Sequence, residues 1–350
     1  MKSPLIYHIL IDRFAGCNAQ REGIGFKGGS LRGIIQKLDY VQNLGAEGIL
    51  LTPFYQSAAY HGYHITDFDK VDSHFGTWED IDNLITEVHR RGMTLTADFV
   101  ANHCHKDNPL FQKHPEWFKR KDDGTWDYFA NIDYLPQFNL DHPDARQYMI
   151  ERALNLCRRG FDGLRLDYAK GPSLQFWRSF RKAIKREYPK VWLIGEVWGK
   201  PERKRLPSDL ARLVRPGCIS FQEAWQLRFK GVFDGVLDFE YQHLMCETAK
   251  SGRGFLKNRR LQRALESHFS HYTQEYQPWL MLDNHDTNRF LFECRGDVNL
   301  LHEAVILSEK YVFPRVMYYG TECGMTNTED IFDGTAHADE RVRECMKWNY

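Results

Sequence analysis

The stretch GFDGLRLDYAKG (residues 160–171) decides the reading of this chain of 350 residues. Gly160 closes the helical spacing of ARQYMIERALNLCRR before it, and GLRLD has the length of a buried strand. That strand nevertheless carries Arg165 and finishes on Asp167. Alternation along a strand puts both side chains on one side, where a guanidinium holds a carboxylate ionised and oriented. Taken alone, such a pair reads more readily as an internal ion pair than as a site.

Seven further apolar runs of similar length flank it: PLIYHIL from Pro4, GILLT from Gly48, MTLTADF from Met93, VWLIGE from Val191, VFDGVLDF from Val232, PWLMLD from Pro278 and PRVMYYG from Pro314. Several stretches between them carry apolar residues at helical spacing, among them LRGIIQKLDYVQNLG, TWEDIDNLITEVHRRG and SLQFWRSFRKAIKREYP. Ser30 and Thr77 suit N-caps, and Gly45, Gly92 and Gly160 suit left-handed helix ends. Strands alternating with helices predict parallel pairing and right-handed crossovers, and eight such units predict an α/β fold of the (β/α)8 TIM-barrel type. A doubly wound open sheet is the alternative that pattern alone leaves.

The third and fourth strands lie farther apart than the others, so a small irregular lobe is expected over residues 104–139. The barrel then takes residues 1–103 and 140–350. The lobe holds HPEWFKRKDDGTWDYF, whose aromatics Trp117, Phe118, Trp126, Tyr128 and Phe129 read better as a small core than as sugar-stacking rings. After the eighth strand, room for a complete final helix is marginal, and truncation in or after it is expected.

Composition narrows the partners. Hydrophobic residues make up 42% and aromatics 14%, enough for a core without staples. Lys plus Arg equals Asp plus Glu at 47 each, which gives no reason to expect nucleic acid or an anionic membrane as partner. The opening MKSPLIYHILIDRF is too short and interrupted an apolar stretch for a signal peptide or a membrane span, so a cytoplasmic protein is expected. Eight scattered cysteines without a CxxC pair are expected as reduced thiols. Oligomeric state is not assigned.

In a barrel the C-terminal ends of the strands face the active site. The third strand gives Asp98, then Asn102 and His103; the fourth Arg165 and Asp167; the fifth Glu196; the seventh Asp283, His285 and Asp286. Glu196 lies between apolar neighbours, which favours its protonated form, whereas Arg165 favours ionised Asp167. An acid of each kind is what glycoside hydrolysis uses. Acids converging on one mouth repel each other and are costly without a function. The rival is a metal-dependent hydrolase built on His103 and His105 in NHCHK, which leaves Glu196 and Arg165 unexplained.

DFVANH (98–103), GLRLDYAKG (163–171), GEVW (195–198) and LDNHDTNRF (282–290) resemble, in order and spacing, the four signature regions of the α-amylase superfamily. LPQFN (135–139) resembles the segment that marks its neopullulanase and cyclomaltodextrinase branch, and HGYHITDFDKVDSHFGT and RVMYYGTECGM also fit. The resemblance implies that Asp167 is the nucleophile, Glu196 the acid and base, and Asp286 the stabiliser of the transition state. It further implies that His103 and His285 donate hydrogen bonds to the sugar, that Arg165 orients Asp167, that Tyr63 stacks on the sugar ring, and that Lys170, Asp98 and Arg289 assist.

The implied substrates are α-glucan oligosaccharides with α-1,4 and also α-1,6 bonds: maltooligosaccharides, starch fragments, cyclodextrins and pullulan. Transglycosylation by the same acids, or a catalytically silent scaffold, are the alternatives. No cofactor is required, with calcium an open option at Asn102. Gly171 departs from the histidine many relatives carry there, and no stretch of these residues resembles the β-sandwich or the extra N-terminal domain common in that branch. The connection 199–231 is longer than expected and is a candidate for setting substrate length.

Overall fold

The structure is a computed structural model that describes residues 3–21, 23–199 and 219–348. Its strands are β1 (Leu5–Ile9), β2 (Gly48–Leu51), β3 (Tyr55–Ser57), β4 (Ile65–Val71), β5 (Thr94–Phe99), β6 (Gly163–Leu166), β7 (Trp192–Gly195), β8 (Gly235–Asp238), β9 (Gln277–Met281) and β10 (Arg315–Tyr318). Eight of them close into one barrel in the order β1-β10-β9-β8-β7-β6-β5-β2, with helices between, so the open-sheet alternative falls. Each barrel strand coincides with one of the eight apolar runs, β9 beginning one residue before its run. Chain packing divides into two compact units, Ile9–Ile194 and Met1–His8 with Gly195–Tyr350.

In the first unit, β5 pairs in parallel with β2 and β6, and the register sets Asp98 opposite Arg165. The helix Trp78–Arg90 begins in a capping box, Thr77 with Asp80, and buries Ile81, Leu84, Ile85 and Val88 at helical spacing. The helix Pro143–Arg159 ends at Gly160 with φ +109°, a left-handed value that suits glycine. Ser30 caps as expected, but its helix is two pieces, Leu31–Gln36 and Leu38–Asn43, because Lys37 leaves the helical region. The antiparallel hairpin β3–β4 is an element the sequence did not announce, since ITDFDKV buries only every third residue and so lacks a period of two.

Residues 104–139 hold a short helix, Pro109–Lys113, two 3-10 turns and isolated bridges joining Phe118 to Phe138, Arg120 to Trp126 and Tyr128 to Pro136. Trp117 and Phe118 are buried, and Phe118 packs on Phe111 and Phe138 with ring centroids 5.0 and 4.5 Å apart. These two aromatics belong to a core, as expected of a clustered set.

In the second unit, β9 pairs with β8 and β10, and β10 with β1. Strand β8 ends on the fully buried Asp238, which accepts from Gln226 Nε2 at 3.0 Å and from Tyr241 N at 3.0 Å, capping the helix Phe239–Lys250. His268 bridges two acids, with Nε2 2.9 Å from Asp238 and Nδ1 2.9 Å from Glu223. Burial pulls its pKa down, but the charges and hydrogen bonds of Asp238 and Glu223 overcome that and raise it to about 10. After β10, the described residues contain a 3-10 stretch, Ala338–Val342, and no α-helix.

One cysteine expectation is corrected: Cys17 and Cys345 are disulfide-bonded. Neither belongs to a CxxC pair, so local spacing gave no sign of it. Cys104, Cys157, Cys246, Cys294 and Cys323 are free. Among the described residues no helix is long and apolar enough to cross a membrane.

The His268 cluster has a pH signature. An unfolded histidine titrates near 6.5, so between about 6.5 and 10 the folded chain holds a proton that the unfolded chain has released. This contribution is full below pH 6.5 and is lost as pH rises through 10. His268→Gln is expected to cost about 3–5 kcal/mol at pH 7 and to flatten the alkaline limb of stability, measured by urea unfolding from pH 7 to 10.

Candidate active site

Functional side chains occur in both units, and each set is built by its own unit. In the first, Gly62 has φ +86°, and a Cβ there would lie 2.1 Å from the Pro53 carbonyl oxygen, so only glycine lets the chain turn into Tyr63. Tyr63 Oη donates to Asp98 Oδ2 at 2.6 Å. Arg165 Nη1 donates to both oxygens of Asp98 at 2.9 Å and to Asp167 Oδ1 at 2.8 Å. One guanidinium therefore serves two carboxylates, of which the Asp98 side chain is fully buried and that of Asp167 retains 9% exposure. Tyr168 follows with φ +40°, a left-handed value rarely held by a tyrosine, and turns the chain away directly after Asp167.

His103 is buried, and its ring stacks on Phe129 at 4.4 Å and 5°. Burial, reinforced by His64, lowers its pKa to about 3, so the ring is neutral. Phe129 thus sits beside a site histidine and not in the small core assigned to it. Among the described residues no group of three or more His, Cys, Asp or Glu is placed to hold a metal. Lys170 is half-buried on the turn after β6. Asn102 is fully buried and donates Nδ2 to Gln137 Oε1 at 3.1 Å.

In the second unit, Glu196 directly follows β7 and is 8% exposed. The loop after β9 is anchored by Asp283, which accepts from Thr321 Oγ1 at 2.9 Å and from Phe290 N at 2.9 Å. Burial raises the pKa of Asp283, against the pull of Arg289. Arg289 is buried, donates Nη1 to the Tyr319 carbonyl at 2.5 Å and covers the Tyr318 ring at 4.1 Å, so it braces the loop. His285 Nε2 lies 3.1 Å from Asp286 Oδ2, and Arg343 Nη2 donates to Asp286 Oδ1 at 2.7 Å. The same guanidinium donates Nε to the His285 carbonyl at 2.8 Å.

Comparison with known proteins gives the family. The profile of the alpha amylase catalytic domain matches residues 8–134 and 220–350. The chain belongs to the α-amylase family. Alpha-amylase 2 of Dictyoglomus thermophilum is 32% identical over 99% of this chain and 60% of its own length, and a cyclomaltodextrinase of a Bacillus species is 29% identical over 100% and 62%. The crystal structure of alpha-amylase from Geobacillus thermoleovorans, complexed with acarbose, superposes with a TM-score of 0.79 at 27% identity, covering 99% of this chain and 74% of that one. The cyclomaltodextrinase-like branch read from LPQFN is supported, and the chain spans about 60% of the length of the curated relatives it matches.

For a member of this family, the sequence missed Arg343. It lies in ADERVREC, a charged stretch without period, and only the fold brings it to Asp286. Also missed was a pocket of about 410 Å³ lined by Trp198, Gln222, Phe239, His243, Asn288 and Phe332. Trp198 stacks there on Phe239 at 5.0 Å and 6°. Of the connection 199–231, residues 200–218 lie outside the described residues.

His103 predicts an acid limb opposite to that of His268. Between about pH 6.5 and 3 the unfolded chain binds a proton at this position that the folded chain refuses, so stability falls as pH drops below 6.5, by about 1.4 kcal/mol per unit. His103→Asn, uncharged at every pH, is expected to be less steeply destabilised between pH 6.5 and 4.5 than wild type in urea unfolding.

Proposed function

We propose that this chain is a retaining glycosidase of α-glucan oligosaccharides, hydrolysing α-1,4-glucosidic bonds and also α-1,6 bonds. The observation that carries this reading is the Arg165 guanidinium held between Asp98 and Asp167 at the end of β6, with Asp167 the more exposed acid. An acid so held is ionised and aimed, as a nucleophile must be. The names of relatives, alpha-amylase, cyclomaltodextrinase and a neopullulanase of Thermoactinomyces vulgaris, support starch fragments, cyclodextrins and pullulan as substrates, and maltooligosaccharides are proposed with them.

In the proposed reaction the Asp167 carboxylate bonds to the anomeric carbon while the Glu196 carboxylic acid gives its proton to the glycosidic oxygen, and that bond breaks. The Glu196 carboxylate then takes a proton from water, whose oxygen displaces Asp167 and restores the original anomeric configuration. Asp286, positioned by Arg343, holds sugar hydroxyls. Neutral His103 bonds to the sugar without adding charge, and Tyr63, fixed through its hydroxyl on Asp98, offers its ring. Lys170 and the pocket beside Trp198 serve leaving-group sugars. A sugar hydroxyl in place of water gives transglycosylation from the same intermediate.

Residues 104–139 are proposed as a lobe on the barrel. The proposed compartment is the cytoplasm, supported by five free cysteines among the described residues and opposed by the disulfide bonding of Cys17 and Cys345, so thiol counting on protein from intact cells decides it.

Asp167→Asn and Glu196→Gln are each expected to lower turnover of maltoheptaose by roughly three orders of magnitude or more with the fold intact by circular dichroism. Proton NMR of the first products should show the α-anomer; β-anomer first would overturn retention, and equal negligible rates in wild type and variants would favour a silent scaffold. Arg343→Lys, which keeps the charge but not the fork, is expected to cost about a hundredfold in kcat with a smaller change in KM.

A further inference from the structure

We propose that the Lys119 ammonium is this chain's own cation beside Asn102, standing where a calcium ion would otherwise be expected. Three observations meet at one place. Lys119 Nζ donates to the Gly171 carbonyl at 3.0 Å. A Cβ at Gly171 would lie 2.1 Å from Asn102 Oδ1, so the asparagine is pressed against the Gly171 backbone, and no larger residue fits. Asn102 Oδ1 is buried without a hydrogen-bond partner, while its Nδ2 is held by Gln137.

The donors do not suit calcium. That ion takes six to eight oxygens, carboxylates prominent among them. The groups placed around Asn102 are two neutral amides and one carbonyl, and the carbonyl is already engaged by a positive charge. A divalent ion on the Gly171 carbonyl would lie against that ammonium. Burial lowers the pKa of Lys119, while Asp127 and Asp141 favour its charged form. An ammonium has three donors, and a bridging water from one of the two remaining can satisfy Asn102 Oδ1.

The backbone fixes this geometry. Lys119 N donates to the Gln137 carbonyl at 2.9 Å, and Phe138 N to the Asn102 carbonyl at 2.8 Å. The lysine therefore ties segment 104–139 to the turn Tyr168–Gly171, which directly follows Asp167.

Thermal unfolding in EDTA and in millimolar calcium, for wild type, Lys119→Met and Lys119→Arg, tests the proposal. Wild type is expected to melt at one temperature in both buffers and to give no tryptophan-sensitised terbium emission. Lys119→Met should melt several degrees lower in both, and Lys119→Arg should recover most of the loss. A wild-type Tm raised by calcium and a terbium signal, both abolished by Asn102→Ala, would overturn it, as would Lys119→Met melting like wild type. A calcium response that Asn102→Ala leaves intact arises elsewhere, and the Met and Arg variants then decide. Should Lys119→Met not fold, the terbium measurement on wild type decides.

Discussion

One guanidinium shared by two carboxylates is the constraint on which the first unit's functional end depends. Two buried acids without compensation would not both stay ionised, and a buried arginine without acids would be worse. The parallel register of β5 and β6 sets Asp98 opposite Arg165, and strand alternation sets Asp167 two residues farther along the same side. The ion network is therefore a product of sheet pairing and not of loop conformation. Tyr63 adds a phenolic donor to Asp98, so the inner acid accepts from both Tyr63 and Arg165, and the outer one accepts from the same guanidinium through Oδ1.

The second unit solves the same problem by different means. Asp286 lies in a loop and has no strand register to fix it, and Arg343 supplies orientation from a stretch that is itself held by short-range bonds, including Arg343 Nη1 to Asp339 Oδ2 at 2.6 Å. Tyr319 Oη donates to the Glu344 carbonyl at 2.6 Å, which pins that stretch to the end of β10. Both acids are thus fixed through a buried guanidinium. The histidines divide likewise: His268 keeps its charge because two acids face it, whereas His103 faces an aromatic ring and another histidine and loses it.

The elements legible in the sequence were those that carry a period. Barrel strands, helices with caps, and the strand-end acids Asp98, Asp167 and Glu196 all sit where alternation or helical spacing points. What escaped had none: the hairpin β3–β4 with its irregular burial, the disulfide bonds at Cys17 and Cys345, and Arg343, whose partner is 57 positions away. Phe129 was assigned to a core because an aromatic cluster reads as one, and only the fold shows that its face is spent on His103.

Gly171 shows how a departure from a family pattern acquires a physical cause. On the sequence it is a missing histidine side chain beside Lys170. In the structure the space that a side chain would need is filled by Asn102 Oδ1, and the carbonyl of the same residue is taken by Lys119. The change is therefore not a simple deletion of a contact: glycine at 171, asparagine at 102 and lysine at 119 form one fitted set. A β-carbon at 171 would strike Asn102, and loss of the lysine would strip the carbonyl of its partner. Each residue restricts the other two, and together they hold the turn that leads away from Asp167.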